Sequence, residues 1–291
     1  MIHLSLAVVK RLAPAAGKNS KWGKRMNTTN YETILTTLTD GVMTITMNRP
    51  ERLNAWTYKM GAEMQHAIEA GNASEEVDVF IITGAGRGFC AGADIKDLFQ
   101  QQAKSKASTD NEAPRDWVGL VRNAKPIIAA VNGAAVGVGL TQILPCDFIM
   151  AAPEAKFSAR FVKMGVVPEL ASSYYLVARA GFGLANRMML TGETIDAVEA
   201  QRIGLIDEMV ESQESLLPKA TELAKRIGEN PSSTLGKVKE LVTQNMAEAD
   251  IKLVQKRELT ALAECYKSPE HHAAINAFIE KRPPNFKGLS G

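Results

Sequence analysis

The stretch PIIAAVNGAAVGVGLTQILPCDFIMAA, residues 126–152, decides the fold. It begins with a short apolar run that ends in glycine, continues through a glycine-containing segment with helical spacing, and returns to a second apolar run. Short apolar runs bounded by turn residues are typical of buried strands. A strand, a helical segment and a further strand in this order indicate an α/β layer architecture.

The segments on either side extend this pattern. Residues 77–84, VDVFIITG, predict another buried strand, and residues 57–72 have the apolar spacing of a helix. Residues 31–48 alternate apolar and polar side chains on both sides of Asp40-Gly41, which predicts a hairpin. After about residue 170 most segments are helix-like, and only LIDEMV, residues 205–210, predicts a strand.

These patterns divide the chain into three predicted parts. Residues 1–30 form a basic leader, residues 31–225 an α/β core, and residues 226–291 a helical C-terminal region. The 291 residues are 45% hydrophobic and 23% charged, which is an ordinary globular composition with ample material for a core.

Charge and hydropathy exclude two classes of partner. The formal net charge is +2, but residues 1–31 hold six basic residues and no acidic one, so the rest of the chain is net acidic. The body therefore lacks the charge of a nucleic-acid-binding protein. No apolar run reaches the roughly 18 residues that a membrane span requires. We expect neither nucleic acid nor a membrane as a partner.

Cysteine usage and the leader bear on the compartment. Cys90, Cys146 and Cys265 are far apart and have no metal-ligand spacing, which fits free thiols in a reducing, cytoplasmic compartment. The basic, acid-poor leader has three interpretations: a disordered extension, a start assigned too early with Met26 as the natural start, or a targeting segment. Its apolar run precedes the charges, which is the wrong order for a secretory signal. Organellar targeting stays open.

Two glycine-containing stretches each follow a predicted strand. They are GAGRGFCAGADIKDL, residues 84–98, and NGAAVGVGLTQILPCD, residues 132–147. Glycine at a strand-to-helix junction allows close backbone approach, and the unpaired N–H groups of a first helical turn can bind an oxyanion. Two such junctions facing one point would form an oxyanion hole. Taken singly, each stretch is explained equally well as a tight turn.

Six blocks occur in an order that resembles the enoyl-CoA hydratase/isomerase (crotonase) superfamily. They are NRPERLNAW (48–56), GRGFCAGADIKDL (86–98), KPIIAAVNGAAVGVG (125–139), CDFIMAAPEAKFS (146–158), LTGETIDAVEAQRIGLIDEMV (190–210) and FIEKRPPNFKG (278–288). The resemblance covers about residues 31–288. It implies a spiral of ββα units with a helical trimerisation region, homotrimers that often pair into hexamers, and acyl-CoA thioester substrates. It implies no metal and no cofactor apart from the coenzyme A of the substrate.

The resemblance also assigns the binding residues. It implies that the backbone N–H groups of Ala91 and Val138 hold the thioester oxygen. The residues it assigns to coenzyme A are Ala93, Asp94 and Ile95 in the same chain, and Phe278 and Lys281 for the coenzyme A of a neighbouring subunit. The residues alone favour other roles for two of these: Asp94 is placed to cap the following helix, and Lys281 is an ordinary solvated charge.

The hydratases of this superfamily carry two glutamates. Carried over by position, these fall at Thr141 and Phe161, so both carboxylates are replaced. Adding water across a double bond needs groups that activate the water and transfer the proton. The resemblance therefore disfavours a straightforward hydratase.

A different carboxylate is available in PELASSYYL, residues 168–176. This segment resembles the corresponding loop of the peroxisomal-type Δ3,Δ2-enoyl-CoA isomerases, in which one glutamate moves the proton. Glu169 would remove a proton from C2 of a 3-enoyl thioester and return it at C4. Leu170 and Ala171 depart from the usual glycine and small residue. Apolar neighbours such as Val166 and Val167 predict a raised pKa for Glu169.

Two alternatives to the isomerase remain open at this point. One is a hydratase or another acyl-CoA lyase that takes its carboxylate from elsewhere in the chain. The other is a catalytically silent acyl-CoA-binding protein, since a fold does not fix a function.

Overall fold

The computed structural model describes residues 30–97 and 116–289, so the predicted leader lies outside the described residues except for residue 30. The strands are β1 Ile34–Thr39, β2 Val42–Met47, β3 Val79–Gly84, β4 Ile127–Val131, β5 Ala134–Val136, β6 Phe148–Ala151, β7 Lys156–Ser158, β8 Thr194–Asp196 and β9 Glu208–Met209. The helices are α1 Tyr58–Ala73, α2 Trp117–Asn123, α3 Val138–Thr141, α4 Ser172–Ala180, α5 Phe182–Thr191, α6 Ala197–Arg202, α7 Leu216–Gly228, α8 Ser232–Asn245, α9 Ile251–Cys265 and α10 Pro269–Ile279. A 3₁₀ helix spans Arg160–Met164.

The main sheet has six strands in the order β1-β2-β3-β4-β6-β9. The hairpin β1–β2 is antiparallel around Asp40-Gly41, and the other pairings are parallel. Ile45 pairs with Ile82, which in turn pairs with Ala129, and all three are fully buried or nearly so. Parallel strands covered on both faces have continuous apolar runs, which is why the sequence predicted them correctly.

A second, three-stranded sheet was not predicted. It has the order β5-β7-β8, with strands of three residues each. Such strands are too short to show a hydrophobic period. Its importance is positional, because β5 follows β4 after a two-residue turn and leads directly into the turn at Gly137.

The two faces of the main sheet are covered unequally. One face carries the larger apolar cluster, which takes side chains from α1 and α4, among others. The other face is covered by α7, whose Leu216, Ala220 and Ala224 recur every four residues and pack with Val79 and Ile81. The predicted strand over residues 205–210 is correct in place but too long, since β9 has only two residues.

A buried ionic cluster fastens the C-terminal helices to the core. Asp147 accepts a 2.7 Å hydrogen bond from Lys239 Nζ on α8 and a 2.9 Å hydrogen bond from Arg122 on α2. Its carboxylate also accepts the N–H of Ile127 at the start of β4. The side chain of Lys239 is only 5% exposed. Burial lowers the pKa of Lys239, and the charge of Asp147 opposes that shift.

The helical C-terminal region agrees with the prediction, although the division between residues 225 and 226 stays a prediction. Among the described residues, no helix has both the length and the apolar character that a bilayer crossing requires.

Candidate active site

Two buried asparagines organise the loop that follows β3. Asn54 donates its side-chain N–H groups to the carbonyls of Ala85 and Gly88, at 2.9 and 2.8 Å. Asn132, directly after β4, donates to the carbonyl of Gly86 at 2.9 Å. Sequence reasoning did not single out either residue. For Asn132 the available signal was an amide side chain directly after a predicted strand, in AAVNG; Asn54 lies seven residues after β2 and had no such signal.

The loop is locked against the segment that carries α3. The N–H of Cys90 donates to Ala134, and the N–H of Val136 donates back to Cys90, at 2.8 and 3.0 Å. A Cβ added at Gly139 would lie only 2.1 Å from the Cys90 carbonyl oxygen. We call these two segments, residues 84–94 and 132–141, the glycine wall. At Gly139 the two backbones approach too closely for a side chain.

The structure contradicts the prediction that Ala91 supplies an oxyanion-binding N–H. That N–H donates to the carbonyl of Leu53 at 3.0 Å and is therefore already engaged. The residues on either side of Ala93 form hydrogen bonds with the backbone of Trp56. The Trp56 N–H donates to the Gly92 carbonyl, and the Asp94 N–H donates to the Trp56 carbonyl, both at 2.8 Å. This pattern leaves the intervening N–H of Ala93 without a hydrogen bond to any residue that the structure describes.

The N–H of Val138 is also unengaged within the described residues. It follows Gly137, which has φ +54° and donates its own N–H to Ser158 on β7. A Cβ added at Gly137 would lie 4.0 Å from Gly92 Cα, so the two glycines lie side by side. Ala93 and Val138 are the residues that follow these neighbouring glycines. Two unpaired N–H groups thus lie close together on the glycine wall.

Glu169 lies in a turn with unusual backbone angles. Leu170 and Ala171 have φ +54° and +51°, which is rare and costly for residues with a Cβ. The N–H of Ser172, the first residue of α4, donates to the Glu169 carbonyl at 3.0 Å. We call residues 165–172 the glutamate turn.

The carboxyl of Glu169 differs from those of Asp94 and Asp147, which both have charged partners. It has neither an ion pair nor a hydrogen bond within residues 30–97 and 116–289. Desolvation raises its pKa, as the sequence predicted. Glu169 as a whole residue is exposed, so the shift comes from protein atoms packed around the carboxyl rather than from complete burial. Val166 and Val167 do not form the predicted apolar wall, because both are exposed in the single chain.

Asp94 has a structural role in this chain. Its carboxylate forms a 2.9 Å ion pair with Arg49 and accepts the N–H of Lys96, in the helical turn that begins at Ile95. The hydrogen bond from Arg49 lowers the pKa of Asp94. An ionised, doubly engaged carboxylate is poorly suited to accept a proton, so the capping interpretation is the correct one here.

Comparison with known proteins identifies the family of this chain, and the match extends over most of its length. Residues 37–289 match the model of the family described as enoyl-CoA hydratase/isomerase. The chain belongs to the enoyl-CoA hydratase/isomerase family. It is 34% identical over 264 residues to the 1,2-epoxyphenylacetyl-CoA isomerase of Escherichia coli K12, a match that covers 88% of this chain and 99% of that protein.

One further relative and one solved structure are similar to this chain over most of their length. The 2,3-dehydroadipyl-CoA hydratase of Escherichia coli K12 is 33% identical, with 85% of this chain and 95% of that protein covered. The crystal structure of an enoyl-CoA hydratase from Bacillus anthracis superposes with a TM-score of 0.80 at 29% identity, covering 88% of this chain and all of that one. The crotonase fold is thereby confirmed. A specific kinship to Δ3,Δ2-enoyl-CoA isomerases is not.

The two positions to which the resemblance assigned the hydratase glutamates hold uncharged residues here. Thr141, at the end of α3, is 1% exposed. Phe161 lies in the 3₁₀ helix and packs against the larger apolar cluster. Neither can donate or accept a proton as a carboxyl group does.

The residues that the resemblance assigned to coenzyme A fall into two places. Ala93, Asp94 and Ile95 continue the glycine wall, and Ala93 and Ile95 are exposed. Phe278 and Lys281, at the end of α10, are exposed as well. Two surface grooves of about 590 and 340 Å³, along α9 and between α1 and α2, contain none of these residues. The grooves therefore do not mark the candidate active site.

Proposed function

We propose that the protein is an enoyl-CoA isomerase, which moves the double bond of a 3-enoyl-CoA thioester into conjugation to give the 2-enoyl-CoA. The observation that carries this proposal is the state of Glu169: a carboxyl without an ion pair or hydrogen bond among the described residues, with a raised pKa. A proton-transfer base needs a pKa close to the working pH, and desolvation is a usual means to that end.

The thioester oxygen is assigned to the N–H groups of Ala93 and Val138. Both N–H groups are free of hydrogen bonds in the described chain, and both follow glycines that lie against each other. Ala93 replaces the Ala91 of the original prediction. Because these donors are fixed by the surrounding backbone, they need no reorganisation when negative charge develops on the oxygen.

The reaction needs only one carboxylate and these two donors. Glu169 removes a proton from C2, which is acidic because it lies between the carbonyl and the double bond. The negative charge spreads into a dienolate whose oxygen is held by Ala93 and Val138. The protonated Glu169 then returns the proton to C4, and the double bond lies between C2 and C3. Loss of one such donor typically costs about 3–4 kcal/mol of transition-state stabilisation.

Coenzyme A is proposed to bind along Ala93, Asp94 and Ile95, of which Ala93 and Ile95 are exposed and Asp94 is half-buried. Phe278, 85% exposed, and Lys281 would contact the coenzyme A held by a neighbouring copy. Phe278 and the adjacent Ile279 are both exposed, so apolar surface at the end of α10 is available for such a contact.

A homotrimer, alone or paired into a hexamer, is the proposed assembly. Two separate groups of apolar side chains are exposed in the single chain. The first lies around the 3₁₀ helix and α5: Val162, Met164, Val167, Phe182 and Leu190. The second lies on α8, α9 and α10: Val238, Val242, Ile251, Leu259, Tyr266 and Phe278. A cyclic assembly joins two different surfaces of each copy, and two such surfaces are present.

A hydratase is the alternative function, and the relatives favour it. One of them is named 2,3-dehydroadipyl-CoA hydratase and another crotonyl-CoA hydratase. Against it stand Thr141 and Phe161, which leave the two hydratase positions without a carboxyl.

The deciding experiment compares two substrates and two matched variants. Purified protein is given 3-hexenoyl-CoA and, separately, crotonyl-CoA, and formation or loss of the conjugated thioester is followed by absorbance. Glu169→Gln should lower the isomerisation kcat by about 10²–10⁴-fold, the usual contribution of a positioned acid–base group. Glu154→Gln, the same change at an exposed site, should leave kcat unchanged. Hydration without isomerisation, or more than a tenth of the activity in Glu169→Gln, would refute the proposal.

A further inference from the structure

We propose that Arg49 is a positioning residue for the reaction: together with Asp94 it fixes the direction in which the Ala93 N–H points. This inference rests on the part of the proposed function that assigns the thioester oxygen to the N–H groups of Ala93 and Val138. It does not depend on Glu169. Arg49 takes no part in the chemistry and acts only through the backbone on either side of the donor.

The direction of the Ala93 N–H is set by a short backbone bridge. Ala93 and Trp56 form an isolated parallel β-bridge, in which Trp56 donates to the Gly92 carbonyl and accepts the Asp94 N–H, both at 2.8 Å. The residues on either side of Ala93 make these two hydrogen bonds, so the N–H of Ala93 itself points away from Trp56. A rotation of this peptide group would turn the donor away from the thioester oxygen.

Arg49 fastens both sides of this bridge. One guanidinium nitrogen donates to the carbonyl of Ala55, directly before Trp56, at 2.5 Å, and another donates to the carboxylate of Asp94, directly after Ala93, at 2.9 Å. A planar guanidinium holds two acceptors in a fixed geometry, which a flexible ammonium group does not. The side chains of Arg49 and Asp94 are only 20% and 18% exposed. The ion pair therefore ties the segment of Trp56 to the segment of Ala93.

Both ends of the ion pair are anchored. The backbone N–H of Arg49 donates to the side chain of Asn54 at 2.8 Å, and its carbonyl accepts the Asn54 N–H at 2.9 Å. The Asn54 amide donates in turn to the carbonyl of Gly88 in the glycine wall. The second carboxylate oxygen of Asp94 accepts the Lys96 N–H at 3.2 Å. A change at either end should thus be transmitted to the bridge.

The two donors are held in different ways. Val138 is 7% exposed and follows Gly137, whose N–H donates to Ser158 and whose carbonyl accepts N–H groups of the following turn. Backbone hydrogen bonds alone hold that donor in place. Ala93 is exposed, and the ion pair lies beside it. A change at Arg49 should therefore weaken the hydrogen bond from Ala93 to the thioester and leave that from Val138 intact.

The direct test is difference infrared spectroscopy of bound butyryl-CoA with an isotope label at the thioester carbonyl carbon. This ligand is saturated, so it can be neither isomerised nor hydrated. Two fixed donors polarise the carbonyl, so its stretching band should lie at lower frequency on wild type than in water. In Arg49→Met and in Asp94→Asn the band should move part of the way back. Arg257→Met, which removes another partly buried ion pair, with Glu248, should leave the band unmoved.

Kinetics with 3-hexenoyl-CoA provides a second readout. Arg49→Met should lower kcat by about 10–100-fold and change KM by less than about threefold, since it misdirects one oxyanion donor without removing it. Arg49→Lys should recover only part of the loss, because an ammonium group does not hold both acceptors. Combining Arg49→Met with Asp94→Asn should be no worse than the slower single variant, since the two residues act as a unit.

The outcomes separate this inference from the proposed function. An unmoved band in Arg49→Met and Asp94→Asn, or an equal movement in Arg257→Met, would overturn the inference alone. A wild-type band no lower than in water would refute the oxyanion assignment and the inference with it. The expected band shifts in a protein that does not isomerise 3-hexenoyl-CoA would support the inference and refute only the isomerase. If thermal melting shows that Arg49→Met does not fold, Arg49→Lys and Asp94→Asn decide.

Discussion

In the proposed active site, the glycine wall and the glutamate turn have opposite roles. The wall acts through backbone N–H groups, and its glycines are so tightly packed that Gly84, Gly133 and Gly139 would each bring a Cβ within 2.5 Å of a carbonyl oxygen. The turn acts through a side chain, and its neighbours Val166 and Val167 are exposed. On this proposal the donors to the thioester oxygen belong to the tightly packed glycine wall, whereas the acid–base group lies on a surface segment.

Of the substitutions predicted for the two segments, Gly139→Ala should lower the free energy of unfolding the most. The added Cβ would meet the Cys90 carbonyl at 2.1 Å, and neither backbone can move without breaking the pairing of Cys90 with Ala134 and Val136. We expect a loss of about 3 kcal/mol or more, measured by thermal or urea unfolding. Gly183→Ala on α5, with no heavy atom within 4 Å of the added Cβ, should be neutral or stabilising by up to about 1 kcal/mol. Equal effects of the two changes would mean that the wall is not rigid.

The pH dependence should report the glutamate turn and not the wall. Desolvation raises the pKa of Glu169, and the ionised form is the base, so kcat/KM for 3-hexenoyl-CoA should fall through one ionisation as the pH is lowered. Each pH unit below that pKa should cost about tenfold in kcat/KM. The backbone N–H groups of the wall do not titrate and should add no second acid limb.

The same shift has a consequence for stability with the opposite sign. A carboxyl whose pKa is higher in the folded than in the unfolded state stabilises the fold when protonated, and that contribution is lost as the pH rises through the folded-state pKa. Glu169→Gln should therefore unfold at a higher temperature than wild type at pH 8, and the difference should shrink towards acid pH. A flat activity profile down to pH 4.5, or a Gln variant less stable at pH 8, would contradict the assignment.

The smallest expected effect is that of Leu170→Gly. Leu170 has φ +54°, a conformation that costs a residue with a Cβ roughly 1–2 kcal/mol and glycine almost nothing. Relief of that cost is offset by the greater freedom of glycine in the unfolded chain, so the unfolding temperature should change by only a few degrees. If the left-handed pair holds Glu169 in position, kcat should fall by less than about tenfold while KM stays the same. A rise in kcat would show that the pair restrains the base in an unproductive position.

Sequence reasoning succeeded where the signal was local. The central strands were predicted correctly, because buried parallel strands have continuous apolar runs. Glu169 was found through the resemblance of its surrounding segment. The direction of its pKa shift was predicted correctly, but the predicted cause was wrong, because Val166 and Val167 are exposed. The three-residue strands of the second sheet were missed, since no period can be read from so few residues.

The assignment of Ala91 failed for a non-local reason. Whether its N–H is free depends on Leu53, a residue 38 positions earlier that itself has φ +50°. No pattern within either segment indicates that the two backbones meet. The same holds for Asn54, whose side chain reaches Gly88 across 34 positions, and for the ion pair that keeps Asp94 occupied.

The carboxylate of Asp147 has a consequence for the protein in concentrated salt. Exposed pairs such as Lys225 with Asp40 weaken as ions screen them, since the Debye length falls to about 3 Å at 1 M. The contacts of Lys239 and Arg122 with Asp147 are largely shielded from those ions, the two cationic side chains being 5% and 10% exposed. Helix α8 should therefore stay attached to its own core at salt concentrations that screen the exposed ion pairs. An assembly that comes apart there would release intact protomers and not partly unfolded chains.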